Sequence, residues 1–309
     1  MRVAILGAGP AGSAMAAMAV CGGHAVTLWS PRGGGTRHIG GELHTAGALE
    51  GSWKLSVAAD LWRAVEAAEL ILIALPGQVL APVLQRLATA LIGTPDILLV
   101  PPGALAPALL HQLAAARGVT LRIGALPVPP VTARREADGT VLITAIRPRL
   151  WLGSLPSAAS PQLTAALEAL FGLPVEPLDD VLAAALAEPG PLIGAAQIFA
   201  PGGLQHGVGR LLLGLAAERD ALALALGRRS LPGIAPLVTE QGGLPESPRP
   251  LAEVGAGLAF LDALARAAQT PTPLITAALQ LLEGASGEAL APHPVLAEMD
   301  SGVLAQLLG

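Results

Sequence analysis

The sequence predicts an α/β protein, a doubly wound parallel sheet over residues 1–184, followed by an all-helical domain over residues 185–309. Three observations carry this expectation. Short apolar strands alternate with helix-length segments through the first half, the pattern of a parallel sheet covered by helices. A glycine-rich loop, Gly7-Ala8-Gly9-Pro10-Ala11-Gly12, separates the first strand from the first helix. Beyond Ile193 almost every apolar segment has helical length, and the breaks are rich in Pro and Gly.

Taken in order, "RVAIL" is an apolar strand and "AGSAMAAMAVCG" a helix of small residues. "HAVTLW" is the second strand, and "AELILIAL" (Ala68–Leu75) is a continuous apolar run, as a strand buried on both faces requires. "LAPVLQRLATAL" is a helix, "DILLVP" a strand, and "ALAPALLHQLAAARG" a helix with Gly118 as its C-cap. "VTLRIGAL" and "GTVLITAI" complete the strands of the first half. From Pro156 the signals change: "SPQLTAALEALFG" is a helix with Ser160 as N-cap and Pro161 at its first position. "PLDDVLAAALA", "GRLLLGLAAERDALALALG", "EVGAGLAFLDALARAAQ" and "TPLITAALQLLEGA" follow as helices.

The glycine loop carries the most specific chemistry. Gly7 permits the tight turn, Gly9 lets the backbone approach a pyrophosphate, and Gly12 lets helix and strand pack closely. Pro10 and Ala11 open the helix, whose free N–H groups and positive dipole end face the phosphates. The first half is thus expected to be a Rossmann-like dinucleotide-binding domain. For NAD the second strand should end in an acid about 20 residues on. It ends instead in "LWSPRGGGTR", with Ser30 at that position and Arg32 and Arg37 nearby. A hydroxyl with guanidiniums suits a ribose 2′-phosphate. This favours NADP(H), with NAD(H) as the other ligand such a loop accommodates.

Composition narrows the classes further. Apolar residues make up 52% of the 309, and mean hydropathy is +0.60. No run of about 18 residues is free of charge, Pro or polar groups, so no membrane partner is expected. The net charge of −5 without a basic block offers nothing to nucleic acid. The single Cys21 excludes an internal disulfide and fits a reducing, cytoplasmic setting. The N-terminus has some marks of a secretory signal, but the same residues fit the strand–loop–helix pattern better. There is no tyrosine, which excludes a Tyr–Lys mechanism, and one lysine, Lys54, which leaves none in the second half. No histidine pair has metal-ligand spacing, so no metal is expected.

The order of motifs resembles the opine dehydrogenases of the octopine and nopaline type, over most of the chain. The resemblance rests on the glycine loop, on Leu75-Pro76-Gly77 after the strand Ala68–Leu75, and on "LPVPPVTARREADGTVLI", where Arg134 matches the arginine of an L-P-Y-x-x-R segment. "AAERDALALALG" is similar to a D-x-E-R helix, and "LAEVGAGLAFLDALARAAQTPTPLI" to an E-D-V-P-x-G-L segment. The resemblance implies reductive joining of an amino acid to a 2-oxo acid, with Leu75 and Pro76 at the cofactor and Arg134 a candidate carboxylate anchor. It also implies a His–Asp pair. The segment matching N-P-x-P-x-x-H-P is "EPGPLIGA", which puts Gly194 where the histidine belongs, at the substrate. Counting back from Gly257–Leu258, Glu253 falls on the aspartate.

Glycine can neither bind nor protonate a carbonyl oxygen, so the proton must come from elsewhere. Glu253 is one candidate, able to hold an iminium charge or supply a proton. His206, twelve residues beyond Gly194, is the other. His24 is expected to be structural, His38 and His44 to lie in a glycine-rich loop near the cofactor, and His111 to be solvated. The expected activity is reduction of an imine, formed from an amine and a 2-oxo acid or preformed, on a small-molecule substrate, by a homodimer. Two alternatives remain open: a dinucleotide-binding protein that has lost catalysis, and a hydroxyacid or ketopantoate-reductase type of dehydrogenase, against which the missing lysine argues.

Overall fold

The computed structural model describes residues 1–37, 39–199, 207–244, 249–287, 289–290, 293–302 and 305. The chain opens with β1 (Arg2–Leu6), α1 (Pro10–Cys21) and β2 (Ala25–Trp29). A hairpin of β3 (Glu42–Gly47) and β4 (Gly51–Lys54) and a short β5 (Ser56–Val57) come next. Alternation then resumes with α2 (Leu61–Val65), β6 (Leu70–Ile73), α3 (Gly77–Ala90), β7 (Asp96–Leu99), α4 (Ala106–Ala115) and β8 (Ile123–Ala125). The strands β9 (Val131–Arg135), β10 (Val141–Ile146) and β11 (Leu150–Leu155) precede α5 (Ser160–Phe171) and β12 (Val175–Pro177). Helices complete the described chain: α6 (Val181–Ala187), α7 (Gly190–Phe199), α8 (Gly209–Ala225), α9 (Ile234–Thr239), α10 (Leu251–Ala267), α11 (Pro273–Ser286) and α12 (Pro294–Ala297).

The main sheet has the order β12-β11-β8-β7-β6-β1-β2-β5. From β5 to β8 every pairing is parallel, and β11 joins β8 antiparallel. The fold class expected from the sequence is therefore observed. All four residues of β6 are buried, as the continuous apolar run requires. The chain moves from β1 to β2 on one side and returns to β6 on the other. That reversal is the switch point at which such sheets open a crevice for ligands.

Three expectations change. The "glycine-rich loop" containing His44 is in fact the β3–β4 hairpin, part of a second sheet ordered β4-β3-β10-β9. His44 sits on β3 with Nδ1 2.7 Å from the Ser52 hydroxyl. "GTVLITAI" also belongs to this second sheet as β10, not to the main one. The helix α1 lies between the two sheets and is buried on nearly every side, from Gly12 to Ala19. Its alanines are the reason both sheets can approach it. At α5, the cap is Ala159, at the end of a short 3₁₀ turn, with Ser160 as the first helical residue.

The boundary expected after residue 184 falls inside α6. Val181, Ala183, Ala184 and Ala187 pack with Trp151 of β11. Leu182, Ala185 and Leu186 pack into the helical core with Leu215, Leu258 and Ile275. One helix thus serves both halves, which is why it is apolar all round. The stretch Val181–Phe199 reaches a membrane-like mean hydropathy of 1.4, yet 78% of it is buried inside the protein. In the D-x-E-R-like stretch of α8, Arg219 is fully buried and donates to Asp220 and to the Pro232 carbonyl. The neighbouring Glu218 accepts the first backbone N–H groups of α11, from Leu274 and Ile275, at 2.8 and 2.9 Å. This motif is structural here.

Candidate functional site

A cavity of about 940 Å³ opens over the C-terminal ends of β1, β2, β6 and β7 and extends to the first turns of α10. Gly7, Gly9 and Gly12 all line it. Gly7 has φ +127°, and a Cβ there would fall 2.0 Å from the Ala74 carbonyl oxygen. A Cβ on Gly12 would fall 1.9 Å from the Gly7 oxygen. These two glycines close the loop onto the sheet. Gly9 differs, because a Cβ there would meet nothing within 4 Å. Its spare room faces the cavity, where a pyrophosphate can approach the backbone. The first turn of α1 carries no acid to oppose an anion.

Behind the loop stands Arg135, a residue the motifs did not single out. Its Nη2 donates to the Ala8 carbonyl and to the Ser13 hydroxyl, both at 2.9 Å. Burial lowers its pKa from the usual arginine value, but the guanidinium stays charged. It adds positive potential beneath the loop. The sequence comparison pointed to Arg134, one residue earlier. Strand alternation sends neighbouring side chains to opposite faces, so Arg134 lies half exposed and pairs with Glu136 at 3.0 Å, away from the cavity. The guanidinium of β9 that lines the cavity is therefore that of Arg135, not Arg134.

Ser30 lines the cavity at the end of β2, and its Oγ is buried without a hydrogen-bond partner. A buried hydroxyl without a partner is costly, and here it fits a ribose oxygen or 2′-phosphate. Arg32 also lines the cavity, while Arg37 is exposed and outside its wall. Leu75 and Pro76 line it, just ahead of α3. The glycine loop, the orphaned Ser30 hydroxyl and Arg32 fit a dinucleotide. Among the described residues no group of three or more His, Cys, Asp or Glu is placed to hold a metal ion.

At the far end, Glu253 projects into the cavity from the first turn of α10. Arg249 precedes that helix and donates from Nη1 to Glu188 Oε1 at 3.2 Å. Burial raises the Glu188 carboxyl above its usual range; Arg249 draws it back, and the charge of Glu253 raises it again. The wall between these groups is apolar, with Pro191, Ala252, Ala256, Phe260 and Leu261.

Gly194 does not line this cavity. It faces α10, where a Cβ would fall 2.4 Å from a Val254 methyl. Gly257 packs against Pro191 in the same way, at 2.2 Å. Small residues at these crossings let α7 and α10 pack at close range. A histidine at 194 would collide with Val254 rather than reach a ligand, so the substrate role expected for Gly194 is corrected to helix packing. His206 lies outside the described residues. The cavity holds a histidine that no motif marked, His293, just ahead of α12. No spacing signal could have found it, because it arrives from the far end of the chain.

Residues 2–103, a third of the chain, match the family model of the NAD-dependent glycerol-3-phosphate dehydrogenase N-terminus. A search of curated proteins finds no match. Among solved structures, an octopine dehydrogenase in complex with NADH and agmatine is similar, at 13% identity and TM-score 0.78, over 100% of this chain and 98% of that one. A yersinopine dehydrogenase with NADP+ bound is similar at 18% identity and TM-score 0.71, over 99% and 98%. A PanE/ApbA family ketopantoate reductase from Ralstonia eutropha JMP134 is similar at 21% identity and TM-score 0.65, over 93% and 100%. From the glycine loop through the helical half, this chain has the fold of the octopine and yersinopine dehydrogenases.

Proposed function

We propose that the protein is an NAD(P)H-dependent oxidoreductase of opine-dehydrogenase type, one that reduces the C=N bond of an imine and prefers NADP(H). The observation that carries this is the continuity of one cavity, with the glycine loop and Ser30 at one end and Glu253 at the other. The cofactor supplies the hydride. The protein binds it along Gly7–Gly12, excludes water with the wall of Pro191, Phe260 and Leu261, and places a carboxylate opposite. Glu253 holds the positive charge of a protonated imine nitrogen. Hydride then adds to the carbon, and the C=N π electrons become the lone pair on nitrogen. The Glu188–Arg249 pair, beside Glu253, fixes the charge balance at this end.

A preformed or cyclic imine suits this site better than condensation of two substrates. Condensation needs loss of water from a hemiaminal, and Gly194 supplies no acid for that. The relatives' names span NADH and NADP+; the preference for NADP(H) here is supported by Ser30 and Arg32 at the end of β2.

NADPH oxidation measured against cyclic imines and against amine plus 2-oxo-acid pairs tests the reading. Turnover is expected with at least one imine, and Glu253→Gln should lower kcat about a hundredfold while leaving NADPH affinity in place. Full turnover in Glu253→Gln would remove Glu253 from the mechanism. NADPH binding without turnover on any imine would assign the chain instead to dinucleotide-binding proteins without catalysis.

A further inference from the structure

His293 belongs to a strap formed by residues 293–300. Val295 is fully buried in the core under β6 and β7. Gln85 of α3 donates to Glu298 at 3.0 Å, and the Asp300 backbone N–H donates to Gln112 of α4 at 2.9 Å. The strap thus docks on α3 and α4, the helices that follow β6 and β7. Within it His293 is only 8% exposed.

Among the described residues the ring has one partner. Its Nδ1 accepts the Val295 backbone N–H, at 3.4 Å, as the cap of α12. An accepting Nδ1 in a neutral imidazole leaves the hydrogen on Nε2. Burial keeps the ring neutral, with its pKa pressed from 6.5 to about 4. No described residue accepts from Nε2. The ring stands over Gly77 and Gly103: a Cβ on Gly77 would fall 2.4 Å from Nε2, and one on Gly103 3.7 Å from Cε1. Both glycines line the cavity, one after β6 and one after β7.

Topology says what lies there. The pyrophosphate of a dinucleotide sits at the β1–α1 loop, and the molecule spreads to both sides of the switch point. Ser30, after β2, marks the adenosine side. The other side, over β6 and β7, is left for the nicotinamide. We propose that this strap completes the nicotinamide subsite, with Nε2–H of His293 donating to the carboxamide oxygen of the bound cofactor. This rests on the dinucleotide reading above. It makes the strap part of the cofactor site and assigns its unpaired donor a planar amide acceptor.

The test compares calorimetric affinities for two probes: NADP+ or NAD+, whichever binds the protein more tightly, and its nicotinamide-free fragment (2′-phospho-ADP-ribose or ADP-ribose). His293→Asn keeps a capping oxygen for Val295 but cannot reach the cavity, and its melting temperature without ligand reports the fold. It should weaken the intact dinucleotide about tenfold, the loss of one hydrogen bond, and leave the fragment unchanged. His293→Gln, with a longer amide donor, should recover part of the loss. Equal weakening of both probes, or of neither, would overturn the proposal. If the unaltered protein bound neither probe, the dinucleotide reading itself would fail and this inference with it.

Discussion

The two ends of the cavity are built by opposite means. At the glycine loop, function is local: six consecutive residues set a strained turn, an open backbone and a helix N-terminus, all in one place. At the helical end, function is assembled from a distance. Glu188 comes from the end of α6, Arg249 and Glu253 from the start of α10, and His293 from the terminal strap. The difference teaches that a motif is informative when adjacent residues do the work. Where packing brings groups together, position along the chain says little, as Gly194 shows by facing Val254 rather than the cavity.

The sharpest way to break this contrast lies within the loop itself. Gly7→Ala forces a Cβ into the Ala74 carbonyl at a φ that L-residues rarely adopt. It should cost more than about 3 kcal/mol in urea unfolding, combining backbone strain with overpacking. Gly9→Ala meets open space; it should leave unfolding unchanged but weaken NADPH binding at least tenfold. A Gly9→Ala protein that bound NADPH normally would remove the pyrophosphate from this loop.

The next effect concerns His293 and pH. Its folded pKa of about 4 lies below the ordinary 6.5. Between these values the unfolded chain holds a proton that the folded chain does not, so stability rises with pH across that window. The group's full contribution is present above 6.5 and is lost as pH falls toward 4. Relative to His293→Asn, the protein should therefore lose up to about 3 kcal/mol between pH 6.5 and 4. Parallel stability curves for the two proteins would show that the ring is not held neutral. Glu188, raised by burial, acts in the opposite sense, and comparing the two proteins cancels it.

Gly194→His would place a histidine where the resemblance to the opine dehydrogenases leads one to expect it. The collision with Val254 predicts about 2 kcal/mol of destabilisation and no gain in turnover. Val254→Ala in the same chain should recover part of the stability, since the two sites share one contact. Increased turnover in Gly194→His would show that the position does face substrate. The smallest effect is expected at Ser30. Removing its orphaned hydroxyl in Ser30→Ala should raise unliganded stability by up to about 1 kcal/mol and weaken NADPH binding. An unchanged affinity would place the 2′-phosphate elsewhere.

Several features were legible before any coordinates. Gly7, Gly9 and Gly12 were found with their separate duties because each duty depends on a residue within a few positions. The buried run of β6 and the helix at α5 were found because they too are short-range patterns, although Ser160 proved to be the first helical residue rather than the cap. Arg134 against Arg135 shows the limit. The motif located the segment, but that it forms a strand, and which face of β9 met the glycine loop, depended on how the second sheet folded over α1. The β3–β4 hairpin escaped because its glycines resemble a loop until the partner strand β10 is in place.

The chain alone determined the doubly wound half and the glycine loop, since each is encoded by neighbours along the backbone, whereas Glu253 was marked only by its place in a segment that resembles the opine dehydrogenases. Only the tertiary structure decided that Gly194 is a spacer between helices, that Arg135 backs the phosphate site, and that His293 joins the cavity. Those three depend on contacts between segments far apart in sequence, and close packing of side chains, not spacing along the chain, selects which atoms meet.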